Sequence, residues 1–127
     1  MHLDGTQFGS ITVSGSQFHH DLVFVVAGST IEVNQRDKSR SQRIHGHREL
    51  AQVELEELLA CQPEVLILGM GQYGSLPMAE STKDYLMQQV KKQQILLIQG
   101  DTPEILERAN QQLKLHKRCC GLLHVTC

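Results

Sequence analysis

The pattern of apolar and polar positions centres on a short apolar run that ends in three closely spaced glycines. Residues 65–68 offer no polar side chain to solvent, which is typical of a central strand covered on both faces. Gly69, Gly71 and Gly74 follow at once, and glycines let backbone amides approach a ligand or another chain segment closely. The pattern therefore predicts a buried strand that leads into a binding loop.

Short β-prone segments predict a meander in the first third of the chain. Residues 9–13 and 30–33 alternate apolar with polar positions, and residues 21–26 form a continuous β-prone run. Turn-forming glycines separate these segments. We expect three antiparallel strands joined by tight connections.

A polar, mostly basic segment follows the meander over residues 34–43. Its basic residues, with one just beyond it, are Arg36, Lys38, Arg40, Arg43 and Arg48. We predict an exposed loop, which fits either an anion-facing arm or an ordinary solvated connection.

Helical patterns alternate with strands in the second half. A stripe of leucines predicts the first helix over residues 52–60, with the glutamates of this segment, Glu54 among them, facing water. Ser81 is a suitable N-cap for the second helix. Thr102 is one for the third, with Pro103 at its first helical position.

The order of elements in the second half predicts a parallel arrangement. Strands at residues 65–68, 95–98 and 118–126 are separated by helices, as in right-handed crossover units. The expected fold is α/β, a single domain over residues 1–127. An antiparallel β layer packs on a mixed β-sheet with flanking helices, giving three layers.

Composition and charge narrow the classes of partner. Twelve Lys and Arg against fourteen Asp and Glu give a net charge of −2 with neutral histidines, and there is no Trp. A nucleic-acid binder should show a basic face or stacking aromatics, so we expect no nucleic-acid partner. No apolar run approaches the roughly 20 residues of a membrane span. The first residues form no apolar signal segment, which predicts a cytoplasmic location.

The four cysteines, Cys61, Cys119, Cys120 and Cys127, form no zinc-binding spacing. Cys119 and Cys120 are neighbours in a predicted strand, so their side chains should point to opposite faces. We expect reduced thiols and no cofactor.

The glycines also match a dinucleotide-binding pattern, because Gly69, Gly71 and Gly74 have its spacing and follow a strand. Pro77 falls where the helix of such a fold should already be running. Asp101 is too far along the chain to serve as the ribose-binding acid. The loop therefore fits either a site for a small anion or polar ligand, or a tight turn needed for packing.

Histidines supply a candidate metal site. His45 and His47 lie two residues apart, which in an extended segment places both rings on one side. Further ligands would have to come from His124 and Cys127.

The same two terminal residues support a thiol mechanism. An imidazole at His124 could lower the pKa of Cys127 and act as its base, and Thr126 could donate to an oxyanion. The alternative is a partly buried His124 that is hydrogen-bonded to backbone, beside an incidental cysteine.

Several motifs together resemble one known family. They are Phe8 to Val13, His47, Glu54 to Leu58, Pro63-Glu64, the glycine loop with Leu76, Thr102 with Glu104, Asn110, and the terminal His124, Thr126 and Cys127. This set is similar to the Mth nine-three-eight family, a domain of unknown function. Its relatives include an assembly factor of mitochondrial complex I.

The resemblance implies a compact α/β domain and no known enzymatic reaction. It implies a shared pocket formed by Gly69, Gly71, Gly74, Leu76, Thr102 and Asn110. Independently, Asn110 should need hydrogen-bond partners, because its helical position turns it toward the core. Ala109 and Ile105 depart from the family pattern, so the shape of the pocket should differ.

The leading hypothesis is thus a non-catalytic, assembly-factor-like domain that binds a protein partner or a small polar ligand through the glycine loop. A homo-oligomer stays open. The alternatives are a thiol-dependent hydrolase or redox enzyme using Cys127 and His124, and a metal-binding module at His45 and His47.

Overall fold

Ten strands and three α-helices make up the part of the chain that the computed structural model describes, which is residues 1–40, 43–44, 47–115 and 117–127. The strands are β1 (Leu3–Gln7), β2 (Ser10–Val13), β3 (Ser16–Phe18), β4 (Leu22–Ala27), β5 (Thr30–Gln35), β6 (Arg43–Ile44), β7 (His47–Arg48), β8 (Val65–Met70), β9 (Leu96–Gly100) and β10 (Cys119–His124). The helices are α1 (Gln52–Leu59), α2 (Glu80–Gln93) and α3 (Thr102–Lys114).

A five-stranded mixed sheet forms the middle of the molecule, with strand order β5-β4-β10-β8-β9. Strands β10, β8 and β9 are parallel, whereas β4 runs antiparallel to both β10 and β5. A separate antiparallel sheet has the order β1-β2-β3. The predicted fold class, an antiparallel layer on a mixed sheet with flanking helices, is confirmed.

Two apolar clusters hold the layers together, one on each face of the mixed sheet. On one face, Ile105 of α3 and Leu3 of β1 pack with Cys119. On the other face, Leu55 of α1 packs with Cys120. The adjacent cysteines therefore point to opposite faces, as predicted. Every residue of β8 and β10 is buried, which confirms that the strand before the glycine loop is covered on both sides.

The predicted three-stranded meander is correct for β4 and β5, which pair antiparallel, and wrong for β2, which does not pair with β4. Strand β2 pairs with β1 and β3, which the sequence pattern missed, while β4 and β5 join the mixed sheet through β10. The residues of β1 and β3 are mostly exposed or half-buried, so neither strand has a strong apolar signal. The second partner of β4 is β10, which lies about one hundred residues away in sequence, and local patterns do not reveal such pairing.

Helix α1 begins at Gln52, as predicted, whereas the N-caps of α2 and α3 differ from prediction. Helix α1 confirms the leucine stripe, but Glu54 is buried instead of facing water. The N-cap position of α2 is Ala79 in place of Ser81, and no side chain caps this helix. Helix α3 is capped by Asp101, and the Thr102 side chain forms tertiary hydrogen bonds instead.

The described residues at the start of the basic segment do not form the predicted exposed loop. Strand β5 continues to Gln35, and Arg36 is only 3% exposed. A turn of 3-10 helix covers Lys38–Arg40. Among the described residues, no helix is both long and apolar enough to span a membrane.

Candidate functional site

A buried carboxylate, Asp21, lies at the centre of a polar cluster between the start of β4 and the end of β10. Its Oδ1 accepts the Val125 N–H at 3.0 Å. Its Oδ2 is 2.8 Å from His124 Nδ1 and 3.1 Å from Arg36 Nη1. The Lys38 ammonium lies 3.6 Å from the same oxygen. Asp21 therefore joins three separate segments of the chain.

Strand register explains why these residues meet. Leu22 pairs with Leu123 across β4 and β10, so Asp21 lies beside the end of β10 and His124. Leu22 also pairs with Gln35 across β4 and β5, and the Arg36 N–H donates to the Asp21 carbonyl at 2.9 Å. The pairing of β4 with β10 brings the His124 ring to the Asp21 carboxylate. The pairing of β4 with β5 brings the Arg36 guanidinium to the same carboxylate.

Arg36 forms a buried ion pair with Glu54 as well as with Asp21. Its Nε donates to Glu54 Oε2 at 2.7 Å and its Nη2 to Oε1 at 2.9 Å, a bidentate arrangement. Burial alone would lower the pKa of Arg36, but hydrogen bonds and charges from Glu54 and Asp21 outweigh it and raise that pKa. Arg36 is consequently a fixed cation, and the prediction of an exposed residue here is wrong.

His124 is only 4% exposed, and both of its ring nitrogens face side chains. An ionised carboxylate only accepts hydrogen bonds, so His124 Nδ1 must carry a hydrogen and donate a hydrogen bond to Asp21. In the neutral ring, Nε2 is then an acceptor, and Thr126 Oγ1 lies 3.2 Å from it. The expected hydrogen bond to backbone is wrong for the ring, because its partner is the carboxylate of Asp21, which immediately precedes β4.

This geometry also keeps Asp21 charged. Burial would raise the pKa of Asp21, but the hydrogen bond from the His124 ring opposes this effect. The Val125 amide and the charge of Lys38 add to this, and the pKa ends well below its ordinary range. The cluster is an Asp21–His124–Thr126 chain of hydrogen bonds with an ionised carboxylate at its buried end.

The Asp21–His124–Thr126 chain of hydrogen bonds ends at a cavity of about 510 Å³, which we name the histidine cavity. It is lined by His19, His20, Asp21, Gln35, Arg36, Asp37, Lys38, Val125 and Thr126. With neutral histidines, its two carboxylates are balanced by its two cations. The cavity is polar but has no net charge.

The glycine loop contacts the other side of the same terminal segment. The Gln72 N–H donates to the Thr126 carbonyl at 2.7 Å, and the amides of Tyr73 and Ser75 donate to the Cys127 oxygen. Gly71 has a φ of +104°, and a Cβ there would overlap the Cys127 backbone and lie 2.7 Å from His124 Cδ2. These glycine-loop amides thus hold the segment that carries His124 and Thr126.

Thr102 links the loop to β10. Its Oγ1 accepts the Gly71 N–H at 2.9 Å and donates to the His124 carbonyl at 2.7 Å. A Cβ at Gly69 would lie 2.7 Å from Thr102 Oγ1, and one at Gly74 would overlap the Asp101 carboxylate. Gly69 and Gly74 are therefore packed so closely against Thr102 and Asp101 that neither position has room for a Cβ atom.

Two residues of the predicted pocket lie elsewhere. Leu76 is buried among the leucines and methionines packed under α1 and α2. The Asn110 side chain bonds both backbone groups of Leu3, at 2.8 and 2.9 Å, and so ties α3 to β1. Its predicted need for partners is confirmed. Ligand binding by the six residues stays a prediction.

The predicted metal-binding pair is His45 and His47. His45 and the side chain of His47 lie outside the described residues. Within the described part of the chain, no group of three or more His, Cys, Asp or Glu side chains could hold a metal ion. All four cysteines are free thiols. The His124 ring is hydrogen-bonded to Asp21 and Thr126, and Cys127 lies half-buried beside Gly71.

Sequence reasoning missed Asp21 and the tertiary role of Arg36. Asp21 immediately precedes a long apolar strand, and a carboxylate at such a position is a weak signal for a buried acceptor. For Arg36 we find no local signal, because the residues that neutralise it lie in other elements.

Comparison with known proteins shows the fold. The conserved hypothetical protein PH1505 from Pyrococcus horikoshii superposes with a TM-score of 0.75 at 29% identity, covering 100% of both chains. A protein named MT938 gives 0.73 at 29% identity, covering 99% of this chain and 98% of its own. A protein from Bordetella parapertussis gives 0.64 at 20% identity, covering 98% and 94%.

The chain therefore has the MT938-like fold, which confirms the resemblance at the level of architecture. No protein-family model and no curated protein sequence matches the chain. PH1505 is a conserved hypothetical protein, so the likeness carries the fold and no activity.

Proposed function

We propose that this chain is a binding domain for a small, uncharged polar ligand that occupies the histidine cavity. The observation that carries the proposal is the position of Thr126, which lines the cavity and whose hydroxyl is hydrogen-bonded to His124. A ligand would meet a hydrogen-bonding group that is already fixed in place, which lowers the entropic cost of binding.

The charges around the cavity favour a neutral ligand. Asp21 and Arg36 are already paired with each other, and Lys38 lies near the same carboxylate. An anion or a cation would have to compete with these pairs. His20, Gln35 and Thr126 also line the cavity and offer neutral hydrogen-bonding groups. The four free thiols additionally favour a reducing, cytoplasmic location.

The test is a binding screen by amide chemical shifts of the ¹⁵N-labelled chain. Small neutral amides, esters and alcohols are compared with carboxylates and amines of matched size. We expect neutral fragments to shift the amides of His20, Val125 and Thr126, and the shifts to vanish in Thr126→Val. Thr30→Val is the matched control, since Thr30 is exposed at the start of β5.

Either of two results would overturn this proposal. Fragments that shift only the loop amides from Gly71 to Ser75 would move the site to the glycine loop. Shifts produced only by charged fragments would contradict the charge argument.

A second candidate is protein binding on the glycine-loop face, in keeping with an assembly-factor role. Phe8 and Tyr73 are 57% and 73% exposed, with ring centroids 6.4 Å apart. Exposed aromatics are enriched at protein interfaces. If the partner is a second copy, sedimentation velocity should show concentration-dependent dimers that Phe8→Ser/Tyr73→Ser abolishes. Monomers of the parent chain at all concentrations would exclude self-association.

A further inference from the structure

The Asp21–His124–Thr126 chain has the connectivity of a nucleophilic triad. The carboxylate accepts from Nδ1 at 2.8 Å, which fixes the ring in the tautomer whose Nε2 is an acceptor. Thr126 Oγ1 lies 3.2 Å from Nε2. The hydroxyl is therefore hydrogen-bonded to a base whose opposite side is bound to an ionised acid, the arrangement that activates serine and threonine nucleophiles.

Burial is graded along this chain in a way that suits catalysis. Asp21 and His124 are buried, whereas Thr126 is half-exposed and lines the histidine cavity. A ligand in the cavity can thus reach the hydroxyl while the base and acid stay shielded from solvent. Shielding strengthens the electrostatic interaction between the ring and the carboxylate.

The reacting group is also held by its backbone. Gln72 N–H binds the Thr126 carbonyl at 2.7 Å, and Val125 N–H binds Asp21. Residues 124–126 are consequently held between the glycine loop and Asp21. Preorganisation of this kind keeps a nucleophile near its attack geometry.

We propose that Thr126 is the nucleophile of an acyl-transfer reaction on a small neutral ester, with His124 as the general base and Asp21 as a positioning residue. This activity rests on the proposed function, because the ester occupies the histidine cavity. Lys38 lines the same cavity, and its positive charge would stabilise negative charge developing on the carbonyl oxygen.

The step balances in protons and bonds. Thr126 Oγ1 bonds to the carbonyl carbon while its proton passes to His124 Nε2. The bond from carbon to the leaving alcohol then breaks, and the alcohol takes this proton. Water activated by the same nitrogen hydrolyses the acyl-threonine, which releases a carboxylic acid and restores the hydroxyl.

The test is covalent labelling of the full chain with a small alkyl fluorophosphonate, followed by intact mass and peptide mapping. Thr126 Oγ1 displaces fluoride from phosphorus, so one adduct is expected on Thr126. Labelling should be retained in Thr30→Val and in Cys127→Ala, and it should fall about 100-fold or more in Thr126→Val. The conservative change Thr126→Ser should keep it.

Asp21 is tested by the dependence of labelling rate on probe concentration. We expect Asp21→Asn to lower the maximal rate and leave the half-saturating concentration unchanged, since Asp21 orients the base without contacting the probe. A purely structural role would disturb both quantities.

The failures of the two proposals are distinguishable. No adduct on Thr126 in a chain whose cavity amides respond to neutral fragments overturns the catalytic inference and leaves ligand binding intact. An adduct on Cys127 overturns it in favour of the thiol mechanism. Absence of any fragment response contradicts the proposed function itself.

Discussion

The glycine loop and the histidine cavity flank the same terminal segment, yet they differ in how they are encoded. The loop is one contiguous motif, and its amides at Gln72, Tyr73 and Ser75 donate to the carbonyls of Thr126 and Cys127. The cavity is assembled from separate segments that carry Asp21, Arg36 and Thr126. The glycine loop, which is recognisable in the sequence, is a site of close packing. The histidine cavity is formed by residues that are far apart in the sequence.

The largest effect on this comparison should come from Arg36→Met. Removing the guanidinium leaves Asp21 and Glu54 as buried carboxylates without their shared partner. Loss of one member of a buried ion pair costs about 3–5 kcal/mol in the free energy of unfolding. Urea titration followed by circular dichroism gives this value.

The control for Arg36→Met is Lys83→Met, which removes an exposed ion pair with Glu80. That change should alter the free energy of unfolding by about 1 kcal/mol or less. Equal losses in the two variants would show that the Arg36 pair does not support the cavity.

Gly71→Ala and Gly28→Ala test whether the loop is a packing device. Both glycines have positive φ, +104° and +62°, so both variants should lose about 1–3 kcal/mol from backbone strain. An added Cβ meets nothing at Gly28, but at Gly71 it overlaps Cys127 and approaches His124. The unfolding free energy of Gly71→Ala should therefore fall further than that of Gly28→Ala.

Gly71→Ala should also disturb the cavity. Amide shifts of Val125 and Thr126 should move in this variant and stay unchanged in Gly28→Ala. If Gly71→Ala were no less stable than Gly28→Ala, the loop would not clamp the terminal segment, and the ligand-site interpretation of the glycines would gain support.

The pH dependence of stability should report Asp21. Its pKa is lower in the folded chain than the ordinary value of 3.8, so below about pH 4 the unfolded state takes up a proton that the folded state resists. The stabilisation is complete above pH 4 and is lost as pH falls through the folded pKa. Asp21→Asn should flatten the slope of unfolding free energy between about pH 4 and 2.

Asp4→Asn is the comparison variant for that titration. The pKa of Asp4 is also lowered, by hydrogen bonds from His2 and the Gly15 amide, but the side chain is at the surface. A slope that is flattened equally by both variants would contradict the central position assigned to Asp21.

The smallest effect is expected in the relative reactivity of the cysteine thiols, which can be measured without altering stability. Burial raises the pKa of Cys119 and of Cys120, with the charges of Glu64 and Cys61 adding to the respective shifts. Iodoacetamide at neutral pH should modify Cys61 and Cys127 before these two, as measured by peptide mapping over time. Fast modification of Cys120 would show that the sheet opens at β10.

Local sequence patterns predicted the positions of helices and strands better than they predicted which residues these elements contact. The leucine stripe of α1 and the apolar runs of β8 and β10 are correct because each contains its own signal of burial. The predicted cap at Ser81 is wrong because α2 begins one residue earlier, at Glu80, and the cap at Thr102 is wrong because tertiary contacts decide what its hydroxyl binds. Thr102 shows this directly, since its Oγ1 bonds Gly71 and His124.

The candidate site was half predictable. His124 and Thr126 stand in one short terminal motif, so the sequence alone identified both as candidates. Asp21 and Arg36 could not be found in this way, because charged residues are usually exposed. Their burial follows only from the meeting of β4, β5 and β10.

The sequence by itself determined the three helices and the more apolar strands β2, β4, β5, β8, β9 and β10, because apolar periodicity is a local property of the chain. It also determined that glycines must follow β8. The tertiary structure alone decided that β4 pairs with β10 and β5, and thereby placed Asp21 against His124 and Arg36. Strand pairing between distant segments depends on the packing of the whole sheet, so the chemistry of this site exists only in the folded chain.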